Sequence, residues 1–222
     1  GGANPSASNH VGSTPLLVAA YGGHEACVQI LLEAGATATI VDGQGRTALH
    51  ACAHKGHANV ARLLLSAMAG TNVHPQDNSG ATPLLVSCYA GHAPLVELIL
   101  SAGASTLPSS LEHMDARGCN ALLAACAAKR ADCVQLLLQH VDWSRRGCWQ
   151  AATAWAVAHR ADAEHKECVD LVAVAAAPIL ATGVKAALLG GYRSGIVAAA
   201  GDGGGGSTIT IIGSSVSISS IS

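Results

Sequence analysis

One short phrase recurs along the chain and sets what it can fold into. It reads Gly-x-Thr, then a small apolar run, then Gly-His. The first copy is Gly12-Ser13-Thr14-Pro15-Leu16-Leu17-Val18-Ala19-Ala20, leading to Gly23-His24. The second is Gly45-Arg46-Thr47-Ala48-Leu49-His50-Ala51-Cys52-Ala53, leading to Gly56-His57. The third is Gly80-Ala81-Thr82-Pro83-Leu84-Leu85-Val86-Ser87-Cys88, leading to Gly91-His92. A fourth puts Asn for Thr in Gly118-Cys119-Asn120-Ala121-Leu122-Leu123-Ala124-Ala125-Cys126, and a degenerate fifth begins at Thr153. The anchors Thr14, Thr47, Thr82, Asn120 and Thr153 are spaced by 33, 35, 38 and 33 residues. A fixed period of this length means a chain built of stacked, similar units.

Each phrase is followed by a Leu-rich stretch: Val28-Gln29-Ile30-Leu31-Leu32, Val60 to Leu65, Val96 to Leu100, and Val134 to Leu138. Apolar residues three and four apart form one buried helical face. Thr14, Thr47 and Thr82 are predicted to start helices, with the hydroxyl taking a free backbone N–H. Pro15 and Pro83 follow at the first helical position, where a missing N–H costs nothing. Gly35 and Gly103 are predicted to end helices in the left-handed conformation. Asp42, Asp77 and Asp115 each precede their anchor by five residues and have Gly three residues on, which predicts a turn. Each unit is therefore a short Ala-rich helix, a Gly turn, a Leu-rich helix and a loop.

The composition agrees with this plan. Of 222 residues half are apolar, yet only 3% are aromatic and Phe is absent. Packing must rest on Ala, Leu, Val and Ile. Two thin helices cannot bury a face alone, so neighbouring units must stack. Twelve basic residues against 14 acidic ones give a net charge of −2, which argues against phosphate-driven nucleic-acid binding. The longest uncharged apolar stretch, Leu171 to Val184, is 14 residues long and contains Pro178. A membrane span needs about 20 such residues, so none is expected.

On these motifs the chain resembles the ankyrin-repeat family. The resemblance covers residues 9–175 in about five units and implies an all-α solenoid of stacked helix-turn-helix units with hairpin-like fingers. Residues 1–8 are expected to be loose. Residues 176–200 are expected to be a C-terminal cap or a degenerate sixth unit. The low-complexity tail 201–222 is expected to be disordered, with a β-prone window at Thr208 to Ile212.

Residues suggestive of chemistry fall into repeat positions instead. Cys27, Cys133 and Cys168 share a slot with Val60 and Leu95, which predicts small buried hydrophobes. Cys88 and Cys126 replace Ala20 and Ala53. His24, His57 and His92 follow Gly in one slot, where the resemblance implies a role in holding adjacent loops together. The run from His50 through His54 to His57 offers metal-type spacing, but Gly56 breaks the helix and the repeat already accounts for His50 and His57. No metal, cofactor or catalytic residue is assigned, and none of the eight Cys has CxxC spacing. The opening GGANPSASNH has no basic start or apolar stretch, so it is not read as a signal peptide. The absence of an initiator Met is read as a fragment or a processed chain. Free thiols in an intracellular, cytoplasmic setting are expected, with a nuclear one left open.

Function is expected at the surface. In the resembling family, partners bind along a concave face made of finger tips and the solvent side of the first helix. The candidates there are Tyr21, Arg46, His54, Tyr89 and Arg117, joined by Trp143, Arg145 and Arg146 from the most singular connection. Tyr, Trp and Arg are the residue types that dominate binding energy. The connection 105–113 is longer than the period requires and reads as a tolerated surface insertion or a contact loop. The expected function is a noncatalytic, monomeric protein-interaction scaffold for a protein or peptide. The alternative is the targeting or substrate-recognition module of a larger enzyme or ubiquitin-ligase subunit. A direct thiol or metal hydrolase is a third reading, which would need one hyper-reactive Cys or bound zinc.

Overall fold

The computed structural model describes residues 4–69, 71–103, 111, 113–140, 163–181, 207–211 and 214–218. Two compact units divide the chain, Gly1–Val172 and Ala173–Ser222. Among the described residues the first contains four complete helix pairs. These are α1 (Pro15–Gly22) with α2 (Glu25–Glu33), α3 (Ala48–Lys55) with α4 (Ala58–Ala67), α5 (Pro83–Ala90) with α6 (Ala93–Ala102), and α7 (Ala121–Ala127) with α8 (Ala131–Leu138). A 3-10 turn at Ala163–His165 leads into α9 (Lys166–Ala181), whose start lies in this unit.

Helix starts follow the anchors. The Thr14 hydroxyl accepts the Leu17 N–H at 3.2 Å, the Thr82 hydroxyl accepts that of Leu85 at 3.3 Å, and Asn120 Oδ1 accepts that of Leu123 at 2.8 Å. Thr47 differs. Its N–H donates to His50 Nδ1 at 3.1 Å, and its hydroxyl lies 3.0 Å from the same nitrogen. The fifth anchor, Thr153, lies outside the described residues.

The helices stack in two rows. In one, α1, α3, α5 and α7 are successive neighbours; in the other, α2, α4, α6 and α8 are. Burial repeats at fixed distances from the anchor. Leu16, Leu49, Leu84 and Leu122 are buried two residues on, and Val28, Ala61, Val96 and Val134 fourteen residues on. One continuous core results, extending to Cys168, Val169 and Val172 of α9.

Two expectations are corrected here. Cys27 is exposed, although Val60, Leu95 and Cys133 are buried at the same repeat position. Nearby Ile30 is 64% exposed, while Leu63, Leu98 and Leu136, its counterparts, are packed against the core. In later units a preceding helix pair covers these slots; no described residue does so for the first. Gly103 ends α6 with φ −95°, not in the left-handed region. Its missing side chain instead leaves room for the His74 imidazole.

Within the second unit, β1 (Ser207–Ile211) and β2 (Ser214–Ile218) form an antiparallel pair in which Ile209 faces Val216. These segments fall in the stretch expected to be disordered, and the β-prone window lies over the first. Alternating Ile, Val, Thr and Ser favour a pleated ladder even without charge.

Candidate partner-binding face

Fingers project from the start of each first helix, and a side-chain carboxylate or amide organises each. Asp42 Oδ1 accepts the N–H groups of Gln44 and Arg46, both at 2.9 Å. Asp77 Oδ1 does the same for Ser79 at 2.8 Å and Ala81 at 2.9 Å, and Asp115 Oδ1 for Arg117 and Cys119 at 2.9 Å. Asn9 plays this part in the first unit, with Val11 at 3.1 Å and Ser13 at 2.9 Å, a role that its position five residues before Thr14 could have revealed.

Backbone bonds then join finger to finger. The Gly43 N–H donates to the Val11 carbonyl at 3.0 Å, Asn78 to Gln44 at 2.9 Å, and Ala116 to Ser79 at 2.8 Å. The opposite ends of the first helices are joined through imidazoles. His57 Nε2 lies 3.2 Å from the Tyr21 carbonyl oxygen, and His92 Nε2 lies 3.3 Å from that of His54. These contacts explain the Gly-His pair. Gly56 has φ +81°, and a Cβ there would meet the His92 ring at 2.5 Å. In the fourth unit the pair becomes Lys129-Arg130. Lys129 takes φ +60°, and Arg130 packs against Gly91.

The frame holds the candidate residues as follows. Tyr21, at the end of α1, is 46% exposed; Tyr89, at the matching place in α5, is 57% exposed. His54 of α3 stacks on Tyr21 with ring centroids 6.3 Å apart and planes 18° apart. Lys55 Nζ sits 4.7 Å from the Tyr21 ring centre, within cation–π range. Val18, three residues before Tyr21 on α1, is exposed; at its position Ala51 and Ala124 are buried and Val86 is half-buried. Val and Ala alternate in this slot along the four units, so nothing in the sequence singled out Val18.

Arg46 and Arg117 stand on fingers, each anchored to its own turn. Arg46 donates to Asp42 Oδ2 through Nε at 3.0 Å and Nη2 at 2.7 Å. Arg117 uses Nε and Nη2 on Asp115 Oδ2, both at 3.0 Å. Burial works to raise the Asp42 and Asp115 carboxyls, but bonds from Arg46 and Arg117 and from backbone N–H groups outweigh it and hold both below the usual carboxylate range. Trp143, Arg145 and Arg146 lie outside the described residues.

Neither nitrogen of His50 is available to a metal: Nδ1 faces Thr47, and Nε2 lies 3.1 Å from the Ala81 carbonyl oxygen. Among the described residues no three His, Cys, Asp or Glu side chains converge as a metal site. Burial pushes the Cys52 and Cys126 thiols up to about 12 and Cys133 to about 11. Such thiols are poor nucleophiles. No described helix is long and apolar enough to cross a membrane.

The family model for ankyrin repeats matches in three copies, over residues 1–77, 35–109 and 67–147. The chain belongs to the ankyrin-repeat family. Ankyrin repeats are protein-interaction modules, and such domains are generally non-catalytic. This ankyrin chain is similar to the "Putative E3 ubiquitin-protein ligase XBAT31" of Arabidopsis thaliana, 41% identical over 71 residues, which is 32% of this chain and 16% of that protein. It is also similar to "Protein fem-1 homolog A-like" of Mus musculus, 40% identical over 62 residues, 28% of this chain and 10% of the relative. A third relative is the "Putative ankyrin repeat protein YahD" of Escherichia coli K12, 42% identical over 71 residues, 30% of this chain and 35% of the relative. The chain thus spans about a third or less of the length of these relatives.

Proposed function

We propose that this ankyrin array is a noncatalytic scaffold that holds a protein or peptide partner on the face made by its fingers and first helices. One observation carries the reading. Tyr21 and Tyr89 occupy the same repeat position, both half-exposed, on a frame whose fingers and helix ends are hydrogen-bonded unit to unit. Covering about 100 Å² of each ring would be worth about 2.5 kcal/mol before ordering costs. A pre-formed surface has little ordering entropy to lose on binding.

The test is an affinity pull-down with the wild type, Tyr21→Ala and Tyr89→Ala. Loss of the same captured partner by about tenfold or more in either variant supports the face. Capture unchanged in both variants would place binding elsewhere.

A second reading is favoured by the match to a fraction of a protein named as a ubiquitin ligase. In that reading the same face recruits a substrate for an enzyme of which these units are the targeting part. Ubiquitin-ligase activity in the full-length protein, dependent on Tyr21 or Tyr89 for one substrate, would select it.

A further inference from the structure

Charge is distributed unevenly between the two helix rows, although the chain as a whole is nearly neutral. The first helices α1, α3, α5 and α7 contain no Asp or Glu. Exposed carboxylates of the four complete pairs lie on the second helices: Glu25 and Glu33 on α2, Glu97 on α6 and Asp132 on α8. The three finger carboxylates are turned inward. Asp42 and Asp115 are buried, and each holds two backbone N–H groups and a guanidinium. Asp77 is half-buried, and its Oδ1 takes the Ser79 and Ala81 N–H groups and the Ser79 hydroxyl.

Among the described residues, the charged groups this face presents outward are therefore cationic. Lys55 is positioned by the Tyr21 ring, not by an ion pair, and no described carboxylate neutralises it. Arg46 and Arg117 spend only the Nε/Nη2 edge on their turn Asp, and the Arg117 side chain remains 70% exposed. Nη1 of each is left for a second acceptor, with the guanidinium plane already fixed. A fixed guanidinium fork suits a carboxylate. Val18, Tyr21 and Tyr89 supply apolar and aromatic surface among these cations.

Resting on the scaffold reading above, we infer that the partner segment held on this face is an acidic peptide with aliphatic or aromatic anchors, its carboxylates meeting Lys55, Arg46 and Arg117. Apolar anchors supply affinity, while complementary charge supplies orientation and rate of encounter. Carboxylates on the second helices repel the same peptide from the opposite side. Among the described residues three cations stand on this face, two of them paired to buried Asp, and the whole chain carries a net charge of −2, so the chemistry favours a peptide over a nucleic acid.

A displayed library of random short peptides, selected on the intact chain, tests this. Selected peptides should be several-fold enriched in Asp and Glu. Their synthetic, fluorescein-labelled copies should bind more weakly as salt rises. Lys55→Glu should weaken them by about tenfold. Arg62→Glu, the same charge change on the exposed side of α4, should not. Peptides without acidic enrichment whose binding is still lost in Tyr21→Ala would overturn the charge inference and leave the scaffold reading standing. Equal weakening by Lys55→Glu and Arg62→Glu would reduce the effect to net charge and overturn it. Acidic peptides indifferent to Tyr21, Tyr89 and Lys55 would overturn both. Recovery of no peptide would overturn the inference, with the pull-down still deciding the scaffold.

Discussion

His50 of the second unit lies 3.1 Å, through Nε2, from the carbonyl oxygen of Ala81 in the third, 31 residues along the chain. Its Nδ1 accepts the Thr47 N–H, so the ring is neutral with the proton on Nε2. Burial holds it below the ordinary value of 6.5, against the smaller upward pull of its bond to Ala81. The unfolded chain therefore binds this proton more readily. Stability from a neutral His50 is complete above about pH 6.5 and declines as pH falls through that value toward the lower folded one. His50→Leu, the residue type of Leu17, Leu85 and Leu123 in the other units, should cost about 1 kcal/mol at about pH 7.5 and less at about pH 5. Urea unfolding at the two pH values measures this; an equal cost at both would show that His50 does not titrate in this range.

Lys129 is the single non-Gly residue with positive φ among the described residues, and it fills the slot of Gly23, Gly56 and Gly91. A side chain in that conformation costs about 1–2 kcal/mol. Its exposed ion pair with Glu164 returns little. Lys129→Gly should be about 1 kcal/mol more stable than Lys129→Ala in denaturant unfolding.

The seven thiols of the described residues should divide into two groups. Cys27 is exposed and Cys119 half-buried, whereas Cys52, Cys88, Cys126, Cys133 and Cys168 are buried. Brief maleimide labelling of the native protein, read by peptide mass spectrometry, should modify Cys27 and Cys119, with the five buried thiols following only in denaturant. Rapid native labelling of Cys88 or Cys126 would mean that the core opens readily.

Asp42 and Asp115 hold their fingers through ionised carboxylates. Removing either, as in Asp42→Ala, strands two backbone N–H groups and a guanidinium and should cost about 2 kcal/mol. Both carboxyls are held below 3.8 in the folded state. Their stabilisation is therefore full above about pH 4 and fades as pH falls through the folded values. The double variant Asp42→Asn with Asp115→Asn should lose less stability between about pH 5 and about pH 2 than the wild type. Circular dichroism along an acid titration reads the difference.

The units were legible because their constraints are local and recur. Thr14 and Thr82 announce helix starts by chemistry that a few neighbouring residues decide. The exposure of Cys27 was not legible, since its slot is buried only where another helix pair precedes it. Gly103 looked like a left-handed stop, but what needs its missing Cβ is His74, nearly thirty residues away. Lys129-Arg130 hides the Gly-His pair from a motif reader, though counting nine residues from Asn120 finds it. Tyr21, His54 and Tyr89 were recognised by shared position. Lys55 gains its place from the Tyr21 ring, which no spacing predicts. The inward commitment of Arg46 and Arg117 to Asp42 and Asp115 was likewise invisible in a list of exposed cations.

The bonds from Gly43 to Val11, Asn78 to Gln44 and Ala116 to Ser79 suit this array to changes of length by whole modules. Each link spends one donor of a later tip and one acceptor of an earlier one. Adding or deleting a whole module therefore keeps each donor of the described row matched to an acceptor. Splicing in half a module strands a donor and an acceptor in the middle of the row, so length can change freely only in complete steps.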